Sequence, residues 1–121
     1  MLPREKALRI AADWIDSWNR HDLDSILSHY SEDVVLTSPI VIKLLGDESG
    51  TVKGKEALRE YFKQGLAAFP ELRFEMLGVF TGVNSIVLHY KRHNGPPGAE
   101  LMVLNREDKI TRVIAHYSYA E

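Results

Sequence analysis

The chain has 121 residues, the length of one typical domain, so we predict a single domain over residues 1–121. Its hydrophobic fraction of 45% and charged fraction of 26% are those of ordinary globular proteins and argue against a disordered chain. The 15 Lys and Arg and 17 Asp and Glu give a formal net charge of -2, which argues against nucleic acid or a membrane as partner, and the lack of cysteine excludes disulfides.

Three helices are predicted before Pro70. Apolar residues at steps of three and four mark a first helix that runs from Pro3 to a polar break at residues 19–22. Asp22 is expected to cap a short second helix, and a third helix is expected to follow Gly54. The apolar positions are Ala7, Leu8, Ala11, Trp14, Ile15 and Trp18 in the first helix, Leu23, Ile26, Leu27 and Tyr30 in the second, and Leu58, Phe62, Leu66 and Phe69 in the third.

β-Strands are predicted for most of the remaining chain. The β-branched run over residues 34–38 predicts a strand, and an apolar stretch of unassigned structure follows over residues 40–45. Four or more further strands come after Pro70, with turn signals over residues 94–98 and 107–108 between them, so neighbouring strands are expected to pair antiparallel. Gly78 inside a strand pattern indicates a bulge. The later apolar segments are residues 72–76, 79–80, 86–90, 101–104 and 110–119. Helices first and strands afterwards predict an α+β fold.

Several of these strands are apolar on both faces. Leu88 and Tyr90, for example, alternate with Val87 and His89. A sheet with two apolar faces needs two covers, and three helices in so short a chain can provide only one. We therefore expect a homodimer through the outer face of the sheet.

The order of these elements and four sequence segments resemble the SnoaL-like branch of the nuclear transport factor 2 superfamily, which includes the ketosteroid isomerases and polyketide cyclases. The segments are residues 18–24 (WNRHDLD), 30–34 (YSEDV), 50–58 (GTVKGKEAL) and 109–117 (KITRVIAHY), and the likeness covers roughly residues 3–119. The resemblance implies a cone-shaped α+β fold in which three N-terminal helices pack on a strongly curved, mostly antiparallel β-sheet. It also implies a pocket between the first helix and the sheet, and usually a homodimer.

The resemblance does not carry over the catalytic groups of the ketosteroid isomerases. In those relatives a Tyr on the first helix and a protonated Asp on a late strand form an oxyanion hole, and an Asp before a Pro is the base. Here Trp14 stands at the Tyr position, Ser38 at the position of the base, and Leu101 or Met102 near the third. Isomerisation by that mechanism is therefore not expected. The late acidic residue of the cyclases is also missing from the last strand.

Five residues are predicted to bind a ligand in this pocket. Trp14 and Trp18 lie one helical turn apart and predict an aromatic wall, although ordinary core packing explains the same spacing. Tyr30 offers a hydroxyl to the cavity or to a surface partner. Ser38 positions a substrate or water, or only shapes the turn before the proline. Tyr117, on the last strand, is the fifth.

Two residues are candidates for acid–base catalysis. His89 lies in the middle of an apolar strand, where a polar side chain needs a partner, and acts either as a general base or as a structural histidine. Glu100 begins the next strand and, if it points inward, pairs with His89 as a dyad; the alternative is a solvated glutamate. His89 and His93 are four residues apart on a strand, about 13 Å, which is too far to share a metal ion. No metal and no cofactor are expected.

The sequence thus predicts a protein that binds a small, largely apolar molecule. If it is an enzyme, it catalyses a proton-transfer or hydration reaction without a cofactor, as an isomerase, cyclase, hydrolase or lyase. The alternative is a non-catalytic dimerisation or protein-interaction domain whose core is filled by its own side chains. No apolar run approaches the roughly 20 residues of a membrane span, and the first residues lack the pattern of a signal peptide, so a cytoplasmic location is expected.

Overall fold

The computed structural model describes residues 1–118 and confirms the α+β class. These residues form four helices and six strands, which we label in chain order. The elements are α1 (Arg4–Asn19), α2 (Leu23–Leu27), β1 (Tyr30–Thr37), α3 (Pro39–Leu45), β2 (Thr51–Lys53), α4 (Lys55–Ala68), β3 (Phe74–Thr81), β4 (Ser85–Arg92), β5 (Pro97–Leu104) and β6 (Ile110–Tyr117). Tyr119, which the sequence pattern places at the end of the last strand, lies outside the described residues.

The strands form one curved sheet in the order β2-β1-β6-β5-β4-β3. Strands β3 to β6 pair antiparallel in sequence, as the turn signals predicted, and only β1 and β6 run parallel. The pairing of β3 with β4 shifts register between Met76 and Gly78, which confirms the bulge predicted at Gly78. A second shift lies between Val103 and Leu104. Such bulges bend the strands and increase their twist, which helps the sheet to curve around the helices.

Two local predictions need correction. Tyr30 was expected on the second helix, but α2 ends at Leu27 and Tyr30 is the first residue of β1. Three helices were predicted and the structure has four: the apolar stretch over residues 40–45 forms the additional helix, α3. Pro39 occupies its first turn, and the Ser38 hydroxyl caps it by accepting a hydrogen bond from the Ile40 backbone N–H at 3.1 Å. Asp22 caps α2 as predicted, through the backbone N–H of Ser25.

The hydrophobic core lies between the helices and the inner face of the sheet. Helix α1 packs on β3 and helix α4 on β1, and the largest fully buried side chains include Trp14, Tyr30 and Tyr90. None of the helices in residues 1–118 is long and apolar enough to cross a bilayer.

The outer face of the sheet carries an apolar row that no side chain of residues 1–118 buries. Phe80, Val87, Leu101 and Ile114 stand opposite one another on β3 to β6, and we call them the outer row. Phe80 is 63% exposed and the other three are partly exposed. The two faces of the sheet therefore have different surroundings: helices cover the inner face, and the outer row is open.

Candidate functional site

A cavity of about 70 Å³ lies between α1, α4 and the inner face of the sheet. One water molecule needs roughly 10–15 Å³ by the same measure, so the cavity has room for several waters or a small organic group. Most of its wall is aromatic. The lining residues are Trp14, Trp18, Tyr30, Leu36, Ser38, Ile40, Tyr61, Phe62, Gly65, Phe69, Leu72, Phe74, Tyr90, Glu100, Ala115 and Tyr117.

Trp14 and Trp18 form the aromatic wall on the α1 side. The Trp14 ring stacks on Phe74 with the centroids 5.7 Å apart and the planes 12° apart, and the Trp18 ring meets the edge of Phe62 at 4.8 Å. Each ring thus packs on one side and borders the cavity elsewhere. This packing holds both rings in place.

Glu100 is the only carboxylic acid among the described cavity residues. It projects from the inner face of β5, is 5% exposed, and its Oε2 accepts a hydrogen bond of 2.8 Å from the Tyr90 hydroxyl. Burial disfavours the charged form and raises the pKa of Glu100 to about 7, although the Tyr90 hydrogen bond opposes this rise. Both the acid and the carboxylate are therefore populated near neutral pH.

The other carboxylate oxygen, Oε1, accepts no hydrogen bond from residues 1–118. Within this part of the chain, the only fully buried side-chain nitrogen or oxygen that lacks a partner is Nε1 of Trp18. Oε1 is thus not fully covered. Glu100 lines the cavity, so this oxygen is the one available to a ligand there.

Four tyrosines line the cavity together with Glu100, and the hydroxyl of Tyr90 contacts its carboxyl group. Burial raises the pKa of Tyr30, Tyr90 and Tyr117 and raises that of Tyr61 to about 12, and the negative charge of Glu100 contributes to each rise. All four hydroxyls therefore keep their protons at neutral pH and act as hydrogen-bond donors or acceptors. Ser38 is also buried, and its hydroxyl lowers the pKa of both Tyr61 and Tyr117.

Tyr30 connects β1 with α1. Its hydroxyl accepts a buried hydrogen bond of 2.9 Å from Nε1 of Trp14. The indole N–H of Trp18 also opposes the rise in the pKa of Tyr30, so it is directed at the same hydroxyl, although its geometry is short of a full hydrogen bond. Trp18 is 7% exposed.

His89 does not line the cavity, and its expected pairing with Glu100 is wrong. On β4 the inner face carries Leu88 and Tyr90, and Leu88 lies opposite Glu100 in the pairing of β4 with β5. His89 points to the outer face, opposite Ala99. Because side chains alternate along a strand, His89 and Glu100 lie on different faces, so His89 cannot act as a base inside the cavity.

The structure brings together the five residues predicted to bind a ligand: Trp14, Trp18, Tyr30, Ser38 and Tyr117 all line the cavity with Glu100. Sequence reasoning missed Tyr61 and Tyr90. Tyr61 adjoins the predicted stripe residue Phe62, and Tyr90 is on the apolar strand that contains His89, so both had a signal. Among residues 1–118 no group of three or more His, Asp or Glu side chains is arranged to hold a metal ion.

Gly65 is an unusual lining residue because it lies in the interior of helix α4. A β-carbon built on Gly65 would meet no atom within 4 Å. Neither a positive φ angle nor a close contact therefore requires glycine here. Its effect is to leave the cavity wall open at this point.

The comparisons with known proteins agree with the predicted resemblance. Residues 11–118 match the family model of the SnoaL-like domain. A SnoaL-like protein of unknown function from Burkholderia thailandensis is 33% identical and superposes with a TM-score of 0.92, over 97% of this chain and 98% of that chain. No curated protein matches the sequence.

Two more distant structures share the fold. SalBIII is described as an epoxide hydrolase/cyclase-like enzyme with a role in pyran ring formation in the polyether salinomycin; it is 20% identical, with a TM-score of 0.75 over 98% of this chain and 95% of that chain. A candidate ketosteroid isomerase from Kribbella flavida is 14% identical, with a TM-score of 0.76 over 97% of this chain and 81% of that chain.

Proposed function

The chain belongs to the SnoaL-like domain family, and from this premise we propose that it binds a small, largely apolar molecule between α1 and the sheet and catalyses a proton-transfer or hydration reaction on it. Glu100 is the acid–base group, and no cofactor takes part. The observation that carries the proposal is a single carboxyl group, with a pKa of about 7, buried in an aromatic cavity.

The wall of the cavity favours an apolar ligand. Aromatic side chains dominate the lining. Moving the apolar surface of a ligand out of water and against these rings lowers the free energy and so favours binding. An anionic ligand is disfavoured, because its charge would lose its hydration and lie close to the Glu100 carboxylate.

Glu100 suits a reaction in which a proton leaves one atom of the ligand and returns to another. Its Oε2 is held by Tyr90, so the carboxyl group keeps one orientation. Its Oε1 is free to take up the proton and to give it back. A pKa close to the working pH makes both steps accessible in one cycle. The relatives described as cyclase-like and as a candidate isomerase support an enzymatic use of this fold.

The first test is native mass spectrometry on protein purified from its own host. We expect a discrete added mass on the folded protein and release of the same small molecule when the sample is denatured. The matched control is Gly65→Leu, which places a side chain in the cavity and is expected to abolish the added mass. Wild-type protein that carries and releases nothing, and that binds none of a panel of small apolar molecules, would contradict the proposal.

We also propose that a second copy of the chain covers the outer row. Four apolar side chains aligned across four strands and left open to water support this arrangement. Sedimentation velocity is expected to show a dimer at micromolar concentration. Leu101→Glu, which places a charge in the middle of the row, is expected to give a folded monomer. A wild-type monomer would contradict this proposal and leave the cavity proposal untouched.

A further inference from the structure

A groove of about 400 Å³ adjoins the cavity near the end of β4, and we call it the rim groove. Phe74 belongs to the walls of both, and it stands opposite Arg92 in the pairing of β3 with β4. The His93 ring meets the ring of Phe69, another cavity residue, with the centroids 6.2 Å apart. A ligand can therefore extend from the cavity into the groove. The groove is lined by Glu71, Arg73, Phe74, Glu75, Lys91, Arg92 and His93.

Arg92 lies where the groove meets the cavity. Side chains alternate along β4, so Arg92 is on the same face of the strand as Tyr90. Its guanidinium lies over the ring of the cavity residue Tyr117, with Cζ 4.3 Å from the ring centroid. Its Nε donates a hydrogen bond of 3.0 Å to the backbone oxygen of Pro96. The stacking and this hydrogen bond hold the guanidinium in one orientation.

The two terminal nitrogens of Arg92 have no partner within residues 1–118. Nη1 and Nη2 form no hydrogen bond with this part of the chain, and none of its carboxylates forms an ion pair with Arg92. Neither nitrogen is fully buried, so both can be reached from the groove. An oriented guanidinium with two free N–H donors matches the geometry of a carboxylate, whose two oxygens accept one hydrogen bond from each nitrogen.

A carboxylate at Arg92 avoids both penalties that an anion meets inside the cavity. Leu88 lies opposite Glu100, and Arg92 is four residues farther along β4, about 13 Å away. This distance exceeds the screening length of about 8 Å at physiological ionic strength, so repulsion by Glu100 is weak there. The groove is also open to water, and an anion bound in it keeps part of its hydration.

We propose that Arg92 binds a carboxylate carried by the ligand in the rim groove, while the apolar part of the same ligand occupies the cavity. This inference rests on the proposed function and narrows its ligand class to apolar molecules that carry a carboxylate at the end of a short chain. The chain passes Phe74 and Tyr117 to reach Arg92. A carboxylate attached close to the apolar part would instead stay near Glu100 and be rejected.

The test compares carboxylates with their primary amides, which have the same shape and no charge. The probes are phenylvalerate, with its carboxylate on a chain of four methylenes, and phenylacetate, with one. Cyclohexanone is small and neutral and reports binding in the cavity alone. Affinities are measured by ligand-observed NMR titration. Wild-type protein is expected to bind phenylvalerate about tenfold more tightly than its amide, because charge-assisted hydrogen bonds are strong, and phenylacetate less tightly than its amide.

Three variants assign the preference to Arg92. Arg92→Gln is expected to abolish the preference for phenylvalerate over its amide, and Arg92→Lys, which keeps the charge without the planar fork, is expected to retain only part of it. Arg106→Gln is the matched control, because Arg106 is exposed in the turn after β5, at the opposite end of that strand from Pro97, and it is expected to keep the full preference. If Arg92→Gln fails to fold, Arg92→Lys and the loss of preference at high salt in wild-type protein still decide.

The outcomes separate this inference from the proposed function. Equal affinity of wild-type protein for phenylvalerate and its amide, or binding of cyclohexanone without phenylvalerate, would overturn the carboxylate site and leave the cavity as a binding site. A preference that Arg92→Gln retains in full would place the carboxylate elsewhere and overturn the assignment to Arg92. Binding of none of the probes would count against the cavity itself and against the carboxylate site with it.

Discussion

The two faces of β4 and β5 give titratable side chains very different surroundings. Glu100 on the inner face is buried in the aromatic cavity, hydrogen-bonded to Tyr90, and has a pKa raised to about 7. His89, opposite Ala99 and one residue along β4 from Leu88, lies on the outer face. Residue type alone favoured His89 over Glu100 as the acid–base group, because the ordinary pKa of histidine is near neutral pH. The comparison teaches that the face of the strand decides which group can do acid–base chemistry in the cavity.

The largest effect is expected when the acid of the inner face is removed. Glu100→Gln keeps the shape of the side chain but cannot exchange a proton, so it is expected to lower the rate by roughly 10²- to 10⁴-fold. His89→Gln is the matched control on the outer face and is expected to leave the rate unchanged. The measurement is turnover of the compound that native mass spectrometry identifies. Equal losses in both variants would remove the distinction between the two faces.

The pH dependence of stability sharpens the same comparison. The pKa of Glu100 rises from 4.5 to about 7 on folding, so the folded protein binds this proton more tightly than the unfolded chain. This contribution to stability is complete below pH 4.5 and is lost as the pH rises through 7. The expected loss in the free energy of unfolding is about 3 kcal/mol.

Urea unfolding at pH 4.5 and pH 8, with wild-type protein and Glu100→Gln, measures this loss. The difference between the two proteins isolates Glu100, because His29, whose pKa is lowered by burial, contributes equally to both. Parallel stability profiles would mean that Glu100 titrates in the folded protein as it does in the unfolded chain.

A smaller effect is expected on helix α4, which also has a cavity side and a solvent side. Gly65 lines the cavity, and Ala67 is exposed on the same helix. Gly65→Leu is expected to weaken ligand binding by about tenfold or more, because the new side chain occupies the ligand's space, while Ala67→Leu leaves affinity unchanged. The check is a titration of both variants with cyclohexanone. If Gly65→Leu binds as wild type does, the ligand does not reach this part of the wall.

The smallest effect is expected for Gly65→Ala. Glycine in a helix interior is less stable than alanine, and a β-carbon at this position meets no atom within 4 Å. The substitution is therefore expected to raise the free energy of unfolding by about 0.5–1 kcal/mol. Thermal or urea unfolding measures it. A fall in stability would show that the backbone at Gly65 needs the freedom of glycine.

Local pattern was sufficient for α1, for the capped start of α2 and for the antiparallel order of the later strands. Helical spacing, the Asp22 cap and the turn signals act over a few residues, and such signals can be read along the chain. They were insufficient for Tyr30 and for residues 40–45. Helix α2 is only five residues long, and α3 depends on a proline and a serine cap instead of a long apolar stripe.

Part of the candidate site could also be predicted. Trp14 and Trp18 follow from the stripe on α1, and Glu100 was recognised as the acid beside an apolar strand. Tyr61 was missed because it comes from α4, an element far from β5 along the chain. Its proximity to Glu100 depends on how α4 packs against β1, which no short stretch of sequence encodes.

The sequence by itself determined the order of the main elements, the family and the apolar character of both faces of the sheet. It did not determine which of His89 and Glu100 enters the cavity. Both faces of β4 are apolar, so alternation gives no sign of which one is inside, and a shift of one residue exchanges them. Only the packing of the helices on one face of the sheet decided the matter, because it left Glu100 buried next to Tyr90 and His89 on the outer face.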